Sequence, residues 1–295
     1  MRRLAMVVAA VIPLLAGCSN PSAADESCEP SPQAGVASAE EWLGRIHSDP
    51  DNISLAIDDG RGNVIERRAD DQQPLASVVK VVHLAAYARA VAAGTLDPQE
   101  TVPVSDWERW YLPGADGGAH PAARTRLTGA TITLDQLVSA MIRESDNEWA
   151  LARRYADDSA YRTTIQSKTM PPLDIQMAWA ETTATGSSRQ VASMHRAIAT
   201  GSFGPGSDVA RAHLEWQQPV PGPVAIGFKG GSYPGVLTDA IYLRRADGTV
   251  ATAVLLNRRM PATTWFSALS TMSEQQLLVR AMTEPAMWHR LACAA

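Results

Sequence analysis

Apolar residues change their spacing several times along this chain, and the changes divide it into elements. From Ala37 to His47, Trp42, Leu43 and Ile46 fall on one helical face, which predicts a short amphipathic helix. The runs Ile53–Ile57 and Asn63–Arg67 are strand-like. The turn cluster Asp58-Asp59-Gly60-Arg61-Gly62 between them predicts a β-hairpin. Ser77 opens a helix that runs to about Ala93, with Val78, Val79, Val82 and Leu84 as its apolar positions and Gly94 as its stop. Val102 to Thr128 is irregular; Trp107, Trp110 and Tyr111 precede a glycine-rich loop that ends at His120. Helices are predicted over Leu134–Arg143, Glu148–Tyr155 and Gln190–Thr200, the last stopped by Gly201. Val224–Lys229, Ala240–Arg245 and Thr249–Leu256 read as strands, and Ala246-Asp247-Gly248 is the turn between the last two. A final helix is predicted over roughly Thr264–Thr283.

Strands therefore flank a long helical block. The expected architecture is α+β: one antiparallel sheet flanked by helices, with an inserted all-helical lobe over about residues 76–215 and a cleft between the lobes. The folded domain is expected over residues 38–295, and no internal repeat is visible.

The start of the chain has a different character. Arg2 and Arg3 precede an apolar stretch, Leu4 to Leu15, that is too short to span a bilayer as a helix. It ends in Leu15-Ala16-Gly17-Cys18, which resembles a bacterial lipobox. Residues 1–17 then form a lipoprotein signal peptide, Cys18 is lipidated, and residues 18–37 are a flexible tether; an ordinary cleaved signal peptide is the alternative. Either reading places the protein outside the cytoplasm, anchored to the outer face of the cell membrane or periplasmic. Export permits a disulfide, and the two remaining cysteines, Cys28 and Cys293, are expected to pair. The net charge of −5 and the 45% hydrophobic content point neither to nucleic acid nor to an anionic membrane surface. A monomer is expected.

The scarcity of lysine directs attention to the chemistry. Lysine occurs only at Lys80, Lys168 and Lys229, and two of these sit in small-residue motifs. Arginine keeps its proton near neutral pH, whereas a desolvated lysine can lose it. In Ser77-Val78-Val79-Lys80 the serine and the lysine lie three apart, on one helical face. A serine hydroxyl becomes a useful nucleophile when a neighbouring base takes its proton. Taken singly, that motif is common by chance. Ser145-Asp146-Asn147 offers a proton-relaying hydroxyl and a carboxamide, although such a cluster is more often a helix cap. Lys229-Gly230-Gly231-Ser232 closes a strand; its glycines permit close backbone approach to a ligand, or mark a bulge.

Together, in this order and spacing, the three motifs resemble the S-x-x-K, S-D-N and K-T-G elements of the penicillin-recognising serine enzymes, the class A β-lactamases and D,D-peptidases. The resemblance covers nearly all of the chain beyond the tether. It implies that Ser77 attacks a carbonyl and forms an ester. Lys80 activates it, and Ser145 passes a proton to the leaving atom. Asn147 holds the side-chain amide of the substrate, and Lys229 supplies positive potential near the substrate carboxylate. The N–H groups of Ser77 and Ser232 form the oxyanion hole. Gly230, Gly231, His120 and Trp110 are further candidate substrate contacts. His120 has a second reading as a structural histidine, and His83 reads as a core residue. Trp107, Trp110 and Tyr111 either wall the site or form a cluster under the loop.

The sequence departs from the family pattern in two places. The E-x-x-L-N loop, whose glutamate activates the deacylating water in class A enzymes, is not found; Asp174 and Glu181 are the nearby carboxylates, without that motif around them. Gly230 stands where the family has Thr or Ser, so a carboxylate-binding hydroxyl is lost unless Ser232 replaces it in part. Thr238-Asp239 opens the next strand where many β-lactamases place an arginine. The expected activity is acyl-enzyme formation at Ser77 on an amide or ester of the β-lactam type, with slow deacylation. A D,D-peptidase or esterase acting on a peptidoglycan-like substrate is the alternative, as is a non-catalytic envelope lipoprotein. No metal or organic cofactor is indicated: zinc and phosphate-binding motifs are missing.

Overall fold

The computed structural model describes Cys28 and residues 33–109, 111, 116–147, 158–167, 171–218 and 221–295. The signal peptide, Cys18, Trp110, Lys168 and the predicted helix Glu148–Tyr155 lie outside the described residues.

Five strands make the main sheet. They are β1 (Ile53–Asp58), β2 (Val64–Arg67), β7 (Pro223–Tyr233), β8 (Val236–Arg245) and β9 (Val250–Asn257), in the order β2-β1-β9-β8-β7. Every neighbouring pair is antiparallel, with Ile57 opposite Ile65, Leu55 opposite Leu255 and Ala240 opposite Val254. Short two-stranded ribbons join β3 (Gln73–Pro74) to β6 (Thr185–Gly186) and β4 (Thr101–Pro103) to β5 (Thr131–Thr133).

The period-two pattern of β9 explains the layering. All eight of its residues are buried, as a central strand covered on both faces requires. Ala253 and Leu255 face a core shared with Trp42, Leu43, Ile46, Leu277 and Leu278 from the first and the C-terminal helices. Val254 and Leu256 face the other way, onto Leu75, Val78 and Val191. The first helix, Ala39–Ser48, is capped by Ser38, whose hydroxyl accepts from the Glu41 N–H. Trp42 locks it to the C-terminal block by donating from Nε1 to Ser273 Oγ at 2.9 Å, in a buried position.

The disulfide Cys28–Cys293 is formed, with the Cα atoms 5.5 Å apart. Among the described residues, no helix is long and apolar enough to cross a membrane.

Several local expectations change. The segment from Ser77 is not one helix: a 3₁₀ turn, Ala76–Val79, leads into an α-helix, Lys80–Ala92. Its buried stripe is Val81, Leu84, Ala85, Tyr87 and Ala88; Val82 is half exposed, and His83 is only half-buried rather than core. The final helix is three helices: Ala262–Thr271, Ser273–Thr283 and Pro285–Ala294. Met272, in a left-handed conformation with φ of 51°, breaks the first from the second. Within the stretch read as irregular, Ala119–Arg126 forms a helix.

Candidate active site

Ser77 is presented by a tight turn. Ala76 holds φ of 45°, a left-handed conformation that disfavours a side chain, immediately before Ser77. Such strain persists only where neighbours over-determine it. Here Leu75 donates its N–H to Ala184 O at 2.9 Å, and Thr238 Oγ1 donates to Leu75 O at 3.0 Å. The turn is thereby tied to strand β8.

Gly231 lets strand β7 come closer still. A Cβ built at Gly231 would lie 2.5 Å from the Ser77 backbone nitrogen and 2.9 Å from that of Val78. Only glycine allows this approach, which is the physical reason for a glycine in the third motif.

The 3₁₀ turn then delivers Lys80 to Ser77. Its Nζ donates to Ser77 Oγ at 2.9 Å. The same nitrogen reaches Ser145 O at 2.6 Å and Ser145 Oγ at 3.1 Å. From the other side, Lys229 Nζ donates to Ser145 Oγ at 2.9 Å and to Gly230 O at 2.6 Å. Ser77, Lys80, Ser145 and Lys229 thus form one unbroken hydrogen-bonded chain. Ser77, Lys80 and Lys229 are 6%, 4% and 2% exposed, so the chain sits out of bulk water. Burial lowers the pKa of Lys229 from 10.5 to about 7, while the charge of Asp239 pulls it back up. Lys229 is therefore poised to carry or release a proton near neutrality.

Ser145 follows the helix Leu134–Arg143, whose start is fixed by a capping box between Thr133 and Gln136. It also adopts a left-handed conformation, φ 67°, and is held by both lysines. Asp146 secures the loop from below. Its N–H donates to Ala140 O at 3.1 Å, and its carboxylate lies 3.3 Å from His120 Nδ1.

His120 itself is only 3% exposed. Its Nε2 lies 3.5 Å from Glu108 Oε1, and its ring packs against Trp107 and Tyr111 at centroid distances of 4.7 and 4.5 Å. Of its two readings, this geometry matches a structural histidine under the second motif, not a substrate contact. Trp107 likewise belongs to a buried cluster with Ala123, Leu127, Ile132 and Ala140 beneath the loop. Asn147 is half-buried on the same loop as Ser145.

The Ser232 hydroxyl, the candidate stand-in for the missing one, already accepts one hydrogen bond and keeps its own proton to donate. Trp265 Nε1 donates to its Oγ at 2.8 Å, which turns the side chain toward the helix Ala262–Thr271. Gly230 also has a reason to lack a side chain. A Cβ there would meet Asp239 Oδ1 at 2.7 Å and Phe228 Cζ at 2.8 Å. Of the two carboxylates weighed as loop bases, Asp174 is exposed on the helix Leu173–Ala180, and Glu181 pairs with Arg259 at 3.4 Å.

Among the described residues, one group of His, Cys and acidic side chains is close enough to share a metal: Cys28, His289 and Cys293. Its two sulfurs are already joined to each other. Thr238 and Asp239 shape the site in ways sequence reasoning missed. Their signal was the pairing of β7 with β8, which places Thr238 opposite Gly231 and Asp239 opposite Gly230.

Solved structures share this fold. A β-lactamase from Sphaerobacter thermophilus superposes with a TM-score of 0.56 at 19% identity, covering 82% of this chain and 98% of that one. A β-lactamase from Chitinophaga pinensis gives a TM-score of 0.55 at 15% identity, with coverage of 82% and 99%. An ancestral class A β-lactamase gives 0.57 at 17% identity, with coverage of 82% and 98%. Identities this low establish the fold alone. No curated protein matches the sequence. The description "Beta-lactamase enzyme family" matches residues 43–277, well over half of the chain, and this span contains all three motifs and the helices and strands that bring them together. The chain belongs to the β-lactamase enzyme family.

Proposed function

We propose that this protein is a serine hydrolase of the cell envelope that works through an acyl-enzyme at Ser77. The observation that carries the proposal is the continuous chain from Ser77 Oγ through Lys80 Nζ and Ser145 Oγ to Lys229 Nζ, with every link at 3.1 Å or less. Neutral Lys80 accepts the Ser77 proton as Oγ bonds to the substrate carbonyl carbon. When the carbon–nitrogen or carbon–oxygen bond breaks, Ser145 gives its proton to the leaving atom, and a protonated lysine beside it replaces that proton. The N–H groups of Ser77 and Ser232 stabilise the oxyanion, a contribution of ~3–4 kcal/mol per donor in such sites. His120 acts as a positioning residue that supports Asp146 and the Ser145 loop.

Deacylation is slow in this reading, because the sequence lacks the E-x-x-L-N motif and, among the described residues, Asp174 is exposed and Glu181 is paired with Arg259. β-Lactams are therefore acylating agents more than substrates for turnover, and a D,D-peptide or an ester fits the same machinery. The lipobox-like segment ending at Cys18 supports a lipid-anchored, exported protein. A fluorophosphonate or a fluorescent penicillin labels the wild-type protein and leaves Ser77→Ala unlabelled. Equal labelling of the two proteins overturns the assignment.

A further inference from the structure

Ser232 lies on the free edge of the main sheet. β7 is the edge strand, and β8 returns from it through the turn Pro234–Gly235. In an antiparallel pair, residues two apart send their backbone groups to the same side. The carbonyl of Gly230 leaves the sheet, because it accepts from Lys229 Nζ at 2.6 Å. Ser232 is two residues further along the same register, so its N–H also points off the edge, toward the side where Lys229 Nζ lies. Gly231, between them, packs directly on the Ser77 backbone nitrogen, 2.5 Å from the place of a Cβ.

An edge strand has a neighbouring strand on one side only, so the position of Ser232 depends on what else ties it down. The indole of Trp265 does this, donating from Nε1 to Ser232 Oγ at 2.8 Å. Trp265 is buried in the core that also holds Leu237, Met260 and Ala268. An indole carries a single donor, and leaving it unpaired in such a place is costly. The anchor is itself fixed to the hairpin. The Met260 N–H, just before the helix Ala262–Thr271, donates to Gly235 O at 2.9 Å. From the other side, Trp179 on the helix Leu173–Ala180 meets Tyr233 edge-on, with ring centroids 5.0 Å apart. Two tryptophans from separate helices thus hold consecutive residues of the strand end.

We propose that Trp265 is a positioning residue for acyl transfer: its indole N–H holds the Ser232 side chain, and through it the Ser232 backbone N–H, where the oxyanion of an attacked carbonyl forms. Stabilisation by such a donor depends on its distance from the oxyanion, so a donor free to drift loses much of its effect. The inference rests on acyl-enzyme formation at Ser77. Trp265 acts through Ser232 and has no part in the proton chain from Ser77 to Lys229.

The test follows acylation by a penicillin with intact mass at several penicillin concentrations, which separates the affinity of the first complex from the acylation rate constant. Trp265→Phe keeps an aromatic ring in the core and removes the N–H. Its rate constant should fall on the order of tenfold, with the affinity unchanged. Ser232→Ala removes the acceptor, keeps the backbone N–H and should slow acylation too. Adding Trp265→Phe to Ser232→Ala should then cost nothing more, because the bond is already gone. A Trp265→Phe protein that acylates at the wild-type rate constant overturns the inference. So does one that slows equally in both backgrounds, which is the mark of a packing role alone. Should Trp265→Phe fail to melt cooperatively, Ser232→Ala decides alone, since Ser232 is only half-buried, and a wild-type rate constant there overturns the inference. A wild-type protein that is never modified at Ser77 removes the acyl-enzyme reading and the inference with it, whereas wild-type labelling with indifferent variants removes the inference only.

Discussion

Replacing Gly231 by alanine probes how closely the sheet must press on Ser77. The added Cβ would lie 2.5 Å from the Ser77 backbone nitrogen, 2.6 Å from Thr238 Oγ1 and 2.9 Å from the Val78 nitrogen. Two of these three neighbours are backbone atoms of the turn that presents Ser77, and no rotamer change moves them. Thr238 is also held, because its hydroxyl bridges Leu75 O and Gly231 O at 3.0 and 3.2 Å. Restoring an ordinary contact of 3.4 Å requires a separation of about 0.9 Å between β7 and the turn. Overpacking of this kind costs ~1–3 kcal/mol of stability. The larger effect falls on chemistry, since a displacement of ~1 Å at a reacting group costs on the order of 100-fold in rate. Gly231→Ala should therefore remain folded, with a modest fall in Tm, and should acylate about 100-fold more slowly with a fluorescent penicillin. An alanine variant that acylates at the wild-type rate would refute the close approach of β7 to Ser77 as a requirement of the site.

Three further outcomes follow from the same geometry. Ser145→Ala removes the hydroxyl that both lysines approach, and acylation should fall by ~10²–10⁴-fold while the melting curve changes little, because no apolar core is lost. Lys229→Met should stabilise the fold at neutral and lower pH. The folded lysine titrates near 7 and the unfolded one near 10.5, so burying the charged form costs stability below about 7, and that cost disappears as pH rises toward 10.5. Denaturant titrations across this range should show the variant's advantage shrinking with increasing pH; a constant or growing advantage contradicts the lowered pKa. Reduction of Cys28–Cys293 frees a loop of 265 residues and should destabilise the protein by ~2–5 kcal/mol, read as a lower denaturant midpoint under reducing conditions.

Much of this fold is visible in local pattern. The helix Leu134–Arg143 matches its prediction because its apolar stripe, its Thr133 cap and its basic end agree with one another. The strands near residues 53, 224, 240 and 250 are recognisable because buried strands read as apolar runs. Where the pattern misled, tertiary context had overridden it. Val82 is as apolar as its neighbours, yet the 3₁₀ turn before Lys80 rotates the helix so that Val81 faces inward and Val82 outward. The break at Met272 carries no glycine or proline to announce it.

At the site, the three motifs identify Ser77, Lys80, Ser145 and Lys229, and folding brings their polar atoms together. What the motifs could not convey is whatever depends on strand register. Thr238 ties down the turn that presents Ser77, the Asp239 side chain crowds the place of a Cβ at Gly230, and Trp265 donates to the hydroxyl of Ser232. Each of these contacts joins residues distant in sequence or paired across strands, so neither composition nor spacing reveals it.

The most direct measurement is intact-protein mass after incubation with a penicillin, followed by peptide mapping. A single adduct of the antibiotic's full mass, located on Ser77 and persisting for many minutes, is the predicted result. Steady consumption of the antibiotic with no adduct, or an adduct on any other residue, contradicts an acyl-enzyme that forms readily at Ser77 and is released slowly.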